Sequence, residues 1–556
     1  MKTKALLSAL ILTFVIIFSA AAQKLPKDKQ GLISAIDKIL EEDYMPDAPG
    51  AAVIVAKNGK TIYHKGIGMA NLELGVLMRP DMVFRIGSIT KQFTAVAILQ
   101  LMEQGKLSLK DDITKFIPDY PTHGYKITIH HLLTHTSGIK SYTGMSEWTP
   151  EIRKKDFTPI EMIDFFKDQP MDFEPGENML YNNSGYFLLG YIIEQVTGVS
   201  YEDYIKKHLF EPSGMTHSLY GNERIILKNR AYGYQTGSDG YENAEFLSMT
   251  QPYAAGSLLS TVEDLYKWNR ALVSGKLIAK KSLDLAWANY TLSDGSVINY
   301  GYGWMPGNLQ GFDMIGHGGG INGFLTLESY YPGEDLFVAL FTNCTCNSTE
   351  AVNKIAALVL GKPFNYQEIR LPVATLEEYT GVYKNQTGNQ RNIYVDNGKL
   401  ISQRLGGGTF EIKAFEKDKF FFEASLTSLE FKRNPQGKIE AAILKTATGF
   451  PETWEKTDLP LPEKPREVAV PVEILKNHTG KYELMPGFII AITLEDGKLM
   501  SQATGQDKFE IFAENENNFF LKVVEARLEF IKDDKGKTIS LILRQGGMEL
   551  EGKRVD

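Results

Sequence analysis

The sequence predicts an α+β domain, an antiparallel sheet with a helical region, followed by two small antiparallel β-barrels. Three observations carry this. Up to Gly361, stretches of helical periodicity alternate with short β-rich runs. Beyond Gly361 the helical period disappears, and short alternating runs with turns such as Asp396-Asn397-Gly398 take over. That later region also repeats itself without gaps. The expected boundaries are 1–22 for a signal peptide, 23–362 for the α+β domain, and 372–458 and 472–556 for the repeats. Residues 459–471 form a linker stiffened by Pro460, Pro462, Pro465 and Pro471.

The elements follow in chain order. Leu32, Ile36 and Ile39 stand at helical spacing, which predicts a helix over 28–43. Residues 51–56 and 61–64 flank Asn58-Gly59, the signal of a two-residue hairpin. Phe84–Ser88 reads as extended and leads into a helix reaching about Gln104. Residues 105–250 are mixed and mostly helical. Thr261 followed by Asp264 predicts a capped helix to Ser274. Strands are expected at 300–305, 324–330 and 336–342, and a helix at 349–360. The simplest arrangement is one sheet built from both ends of this segment, with a helical insertion between them.

In the repeat, Thr380-Gly381-Val382-Tyr383 returns as Thr479-Gly480-Lys481-Tyr482. Ser402-Gln403 returns as Ser501-Gln502, and Leu429-Glu430-Phe431 as Leu528-Glu529-Phe530, always at one offset (480 − 381 = 99). Each copy offers six to eight short strands. Closing them into a barrel removes the exposed edges, and a β-sandwich is the alternative. The aromatic runs Phe420–Phe422 and Phe519–Phe520 read as barrel core.

Bulk properties exclude some classes of function. A formal net charge of −8 without a dense basic run argues against a nucleic-acid partner. Lys2 and Lys4, the apolar run Ala5–Phe18 and the small residues Ser19–Ala22 have the order of a signal peptide, cleaved after Ala22. The run is shorter than the roughly 20 residues of a membrane span. The expected location is therefore a Gram-negative-type periplasm or the medium, with no membrane span. Cys344 and Cys346 stand two apart at the end of a strand-like run. In a strand such a pair bridges poorly, so they read as buried free thiols.

Three motifs carry chemistry. Ser88-Ile89-Thr90-Lys91 opens a helix, where positions i and i+3 share a face and the amine reaches the hydroxyl. A serine needs an adjacent base to act as a nucleophile, and a desolvated lysine can be that base. Tyr181 and Asn183 stand two apart before an apolar helix, where a phenol can relay protons and an amide can hold a carbonyl or Lys91. Gly316-His317-Gly318-Gly319-Gly320 precedes the strand at 324, and its glycines allow close backbone approach. His131 and His135 are spaced like zinc ligands, but no third ligand is evident and no metal or cofactor is expected.

In this order, Ser-x-x-Lys, Tyr-x-Asn and His-x-Gly, the chain resembles the class C β-lactamase and penicillin-recognising serine hydrolase family over about residues 30–360. Supporting segments are Leu132–Gly138, Gly185–Gly190, Ala255–Ser260 and Tyr300–Trp304. The two later repeats are lipocalin-like. The resemblance implies that Ser88 is acylated, that Lys91 and Tyr181 activate it, and that Asn183, His317 and Gly319 bind substrate. It places the oxyanion hole on the backbone N–H groups of Ser88 and Gly320. β-Lactamases of this class usually carry Lys-Thr-Gly where this chain has His317-Gly318-Gly319, and a neutral His binds a carboxylate less well. The reading is a serine hydrolase acting on a small-molecule or short-peptide amide or ester, D-aminopeptidase-like first. A class C β-lactamase or carboxylesterase is an alternative, and so is a non-catalytic penicillin-binding protein sensing cell-wall fragments.

Overall fold

The computed structural model describes residues 28–556 except 347, 365, 424, 463–465, 486, 525, 546 and 547. The expected signal peptide therefore lies outside the described residues. The chain divides into two compact units. The first ends at Asn365 and lacks the hairpin tip Gly307–Met314, which groups with residues 366–556 in the second. Among the described residues no helix is long and apolar enough to cross a membrane.

The first unit is built as the sequence predicts. Helix α1 (Lys29–Asp43) starts at Asp28, whose carboxylate accepts the Gly31 N–H. Strands β1 (Ala51–Lys57) and β2 (Lys60–Ile67) turn at Asn58 and Gly59, both at positive φ, as a tight hairpin requires. Helix α2 (Thr90–Glu103) is buried almost all round, from Phe93 to Leu101. Helix α3 (Asn183–Thr197) starts at Asn182, which accepts the Gly185 N–H, and α4 (Val262–Val273) at Thr261, which accepts the Asp264 N–H.

Four more strands complete the sheet: β3 (Met305–Leu309), β4 (Phe312–Ile321), β5 (Phe324–Tyr331) and β6 (Leu336–Thr342). Helix α5 (Ala351–Val359) follows. The sheet order is β3-β4-β5-β6-β1-β2, so both ends of the segment meet where β6 pairs antiparallel with β1, Val53 facing Leu340. β1 and β6 are buried along nearly their whole length; α4 packs on both and α5 on β6.

Three expectations change. The strand expected at 300–305 lies at Met305–Leu309. The glycine-rich segment, expected ahead of the strand at 324, is itself the second half of a strand, β4, paired with β5 from Ile315 to Ile321. Cys344 and Cys346 are bridged rather than free. The chain leaves the extended conformation after Thr342, which brings their Cα atoms to 5.1 Å, within bridging range.

Glu328 of β5 is buried at the centre of this sheet. Gln92 Nε2 donates to it at 2.5 Å, and Trp268 Nε1 donates to Gln92 Oε1 at 3.1 Å. Burial raises its pKa from the usual 4.5 to about 8. Between those values the folded chain holds a proton that the unfolded chain has released, so this group erodes stability as pH rises, by about 1.4 kcal/mol per pH unit. Glu328→Gln is expected to remove the slope. The difference in urea stability from wild type should be larger at pH 8 than at pH 5.

The second unit contains two closed eight-stranded antiparallel barrels, from Gly381 to Lys456 and from Gly480 to Arg554. A short helix precedes each, Val373–Glu377 and Val472–His478. The repeat is visible in atoms. Tyr383 donates to the Tyr379 carbonyl at 2.7 Å, and Tyr482 to the His478 carbonyl at 2.8 Å.

Candidate active site

Ser88 lies in a single 3-10 turn, Gly87–Ile89, that runs directly into α2. Gly87 has φ +51°, and a carbon added to it would stand 3.0 Å from the Gly320 nitrogen. The backbone of the Ser88 turn and the end of β4 are thus in van der Waals contact. Gly319 closes the gap further. A Cβ there would lie 2.0 Å from the Ile86 carbonyl oxygen and 2.4 Å from Thr326 Oγ1. Thr326 binds both sides, donating to the Ile86 carbonyl at 3.0 Å with the Gly319 carbonyl at 3.3 Å. Gly87, Ser88 and Gly320 border one cavity of about 110 Å³, with Asn183 and Trp148 on its other walls.

Lys91 is one turn along α2 and fully buried. Its Nζ has three oxygen neighbours: Ser88 Oγ at 3.0 Å, Asn183 Oδ1 at 2.8 Å and the Ala255 carbonyl at 2.8 Å. It also lies 4.7 Å from the Tyr181 ring centre. Burial drives its pKa well below 10.5. A neutral amine has two N–H groups, which the two acceptors Asn183 Oδ1 and Ala255 O take up. Its lone pair is left for the Ser88 hydroxyl proton.

Asn183 is the first residue of α3. Its Nδ2 donates to Thr143 Oγ1 at 3.2 Å, which sets the amide with Oδ1 toward Lys91. The Tyr181 hydroxyl is buried beside Ser88 but makes no hydrogen bond of full geometry. Burial raises its pKa, and the proximity of Ser88 opposes this only in part, so the phenol keeps its proton. His317 is buried on β4, its Nε2 accepting from Tyr300 at 3.0 Å and its Nδ1 donating to the Gly318 carbonyl at 2.5 Å. Burial, with Lys91 nearby, lowers its pKa to about 3, so it is uncharged.

Ser88, Lys91, Tyr181, Asn183, His317, Gly319 and Gly320 therefore lie within one region. His135, which the sequence marked only by its zinc-like spacing from His131 and gave no role in the site, holds Tyr181 by the backbone on both sides. Leu180 N–H donates to its carbonyl at 3.0 Å, and Asn182 N–H to its Nδ1 at 3.0 Å. Its ring lies against Tyr181, centroids 4.3 Å apart. This grip depends on a left-handed turn, φ +60° at His135, that no local sequence signal announces. Tyr300 and the Ala255 carbonyl come from the supporting segments Tyr300–Trp304 and Ala255–Ser260.

The family model described as beta-lactamase matches residues 36–361. The chain belongs to the beta-lactamase family. A second model, a domain of unknown function (DUF3471), matches residues 367–457 and again 464–554. Penicillin-binding protein 4* of Bacillus subtilis is 29% identical over 406 residues, 68% of this chain and 89% of that protein. The octameric penicillin-binding protein homologue from Pyrococcus abyssi superposes with a TM-score of 0.54 at 30% identity, covering 77% of this chain and all of that one. A D-stereospecific amidohydrolase from Streptomyces superposes at 0.52 with 27% identity, over 59% of this chain and 98% of that one. Members of this family are generally serine hydrolases, and the fold around Ser88 is theirs.

The contact between β4 and the Ser88 turn leaves no room for a side chain. Gly319→Ala is expected to push the Ile86–Ser88 turn away from β4 and to slow acylation by a fluorophosphonate probe roughly 100-fold, since about 1 Å of misplacement has that effect. Lys91 contacts and overall folding should persist, which circular dichroism checks.

Proposed function

We propose that this chain is an exported serine hydrolase that cleaves amide bonds at D-amino-acid residues through an acyl-Ser88 intermediate. The observation that carries the reading is the arrangement around Lys91 Nζ: two fixed acceptors and the Ser88 hydroxyl. Neutral Lys91 takes the Ser88 proton as Oγ attacks the substrate carbonyl carbon. The negative oxygen that forms is met by the Ser88 and Gly320 N–H groups across the β4 contact. The C–N bond breaks, and the amine leaves with a proton from Lys91 relayed by the Tyr181 hydroxyl. Water then attacks the acyl-enzyme, its proton passing the same way, and restores Ser88.

The substrate class rests on two supports. The Streptomyces neighbour is a D-stereospecific amidohydrolase. His317 is uncharged and buried where a β-lactamase would present a cation, which disfavours substrates held by a carboxylate. Export rests on the composition of residues 1–22. The test is a panel of D- and L-amino-acid p-nitroanilides, short esters and nitrocefin. D-anilides are expected to exceed their L-counterparts in kcat/KM by at least about 10-fold, as a steric mismatch in a small pocket requires. Turnover of esters or nitrocefin alone would overturn the substrate assignment.

A further inference from the structure

The first barrel holds a buried cation with no ion-pair partner among the described residues. Arg391 stands on the strand Gln390–Asp396, facing inward with Ile393 and opposite Tyr383. It lies at the end of the barrel where loops 385–389, 405–408 and 446–451 turn. The short helix covers the other end, Val373 touching the turn at Gly398. Arg391 is only 7% exposed. Its Nη1 donates to Ser402 Oγ at 2.8 Å, and its guanidinium lies 4.8 Å from the Trp454 ring centre and 5.9 Å from Phe422. Its Nε is buried with no hydrogen-bond partner. Among the described residues no carboxylate pairs with it. Glu452 acts on it through space, but its two oxygens are engaged by Asn385 Nδ2 at 2.6 Å and Trp454 Nε1 at 2.9 Å.

A buried, unpaired guanidinium is costly, so its retention needs a reason. Closing the barrel is not that reason. The second copy has Ile490 at the matching position and Gly552 in place of Trp454, keeps the serine as Ser501, and closes with the same strand order. With Nη1 spent on Ser402, the Nε edge is the half of the fork that receives a carboxylate. Its neighbours are apolar and aromatic: buried Phe422 and Trp454, and beside Phe422 the ring of Phe410, 6.2 Å away and 55% exposed. Arg404 faces Arg391 from the adjacent strand and adds positive charge at the mouth.

We propose that the first barrel binds a small monocarboxylate bearing an apolar group, the carboxylate on the Arg391 Nε edge and Ser402, the apolar part on Phe410, Phe422 and Trp454. The site belongs to this barrel and is absent from its duplicate.

The test uses the full chain carrying 5-fluorotryptophan. Its five tryptophans give separate ¹⁹F resonances, with Trp454 assigned through Trp454→Phe. Octanoate is expected to shift the Trp454 resonance saturably, in wild type and in Ser88→Ala alike, while octanamide, its neutral counterpart, does not. Arg391→Gln should weaken octanoate binding at least tenfold, and Arg391→Lys less. Absence of a saturable Trp454 shift in wild type, an equal shift with octanamide, or unchanged affinity in a folded Arg391→Gln would each overturn the site. The octanoate–octanamide comparison needs no variant, so a misfolded Arg391→Gln leaves the test intact.

Discussion

Ser88→Ala is expected to lower kcat on a D-amino-acid p-nitroanilide by at least about 10⁴-fold, the scale on which removing a nucleophilic serine acts. The reason is chemical rather than structural. Ser88 Oγ is the one atom to which the acyl group is assigned, and the alanine leaves Lys91 with Asn183 Oδ1 and the Ala255 carbonyl still in place. Folding should therefore be unchanged, and KM should move little. The variant should also fail to form a fluorophosphonate adduct, read by intact mass. Wild-type turnover persisting in Ser88→Ala would remove the nucleophile from the mechanism. An adduct on another serine would relocate it.

Lys91→Met is expected to be nearly as damaging, about 10³-fold or more in kcat, because the base and the nucleophile act as a unit. Methionine fills a similar buried volume without an amine, so the loss reports chemistry. The pH profile separates a base from a mere spacer. Burial favours the neutral amine, and the folded pKa lies well below 10.5. Below that depressed pKa the amine is protonated and cannot accept the Ser88 proton, so activity should fall on the acid side, with the limb well below the ordinary lysine value. A limb near the ordinary lysine value, with little activity at pH 7, would contradict a neutral Lys91. Tyr181→Phe should keep the position of the acid limb while lowering kcat, since the phenol holds its proton throughout.

Much of this arrangement was legible in the sequence, and the exceptions have physical causes. Ser88 and Lys91 became legible only with Tyr-x-Asn and His-x-Gly in order behind them, since a three-residue spacing at a helix start also fits an N-cap followed by a solvated lysine. The barrels were legible because a duplicated pattern tests itself, position against position. β4 was obscured by its own function. Glycines at 316, 318, 319 and 320 suppress the side-chain pattern by which a strand is recognised, yet they are what let it touch the Ser88 turn. His135 was hidden for a different reason. A histidine following an apolar helix looks like packing, and its hold on Leu180 and Asn182 exists only once a left-handed turn and a distant loop have met. The Cys344–Cys346 bridge was missed because the pair was read in extended conformation, whereas the strand ends at Thr342.

Burial around Ser88 has a consequence for how substrates arrive. His135 and His317 have depressed pKa values and Tyr181 a raised one, so each is without charge at neutral pH, and burial disfavours the charged form of Lys91. These groups cast no net field from the catalytic pocket into solvent. Encounter should then be governed by diffusion and fit, with no electrostatic steering by the site, and kcat/KM for an uncharged amide should stay flat as ionic strength rises. Such a pocket does not recruit anionic fragments over neutral ones. It selects by shape after collision, in whatever salt the surroundings impose.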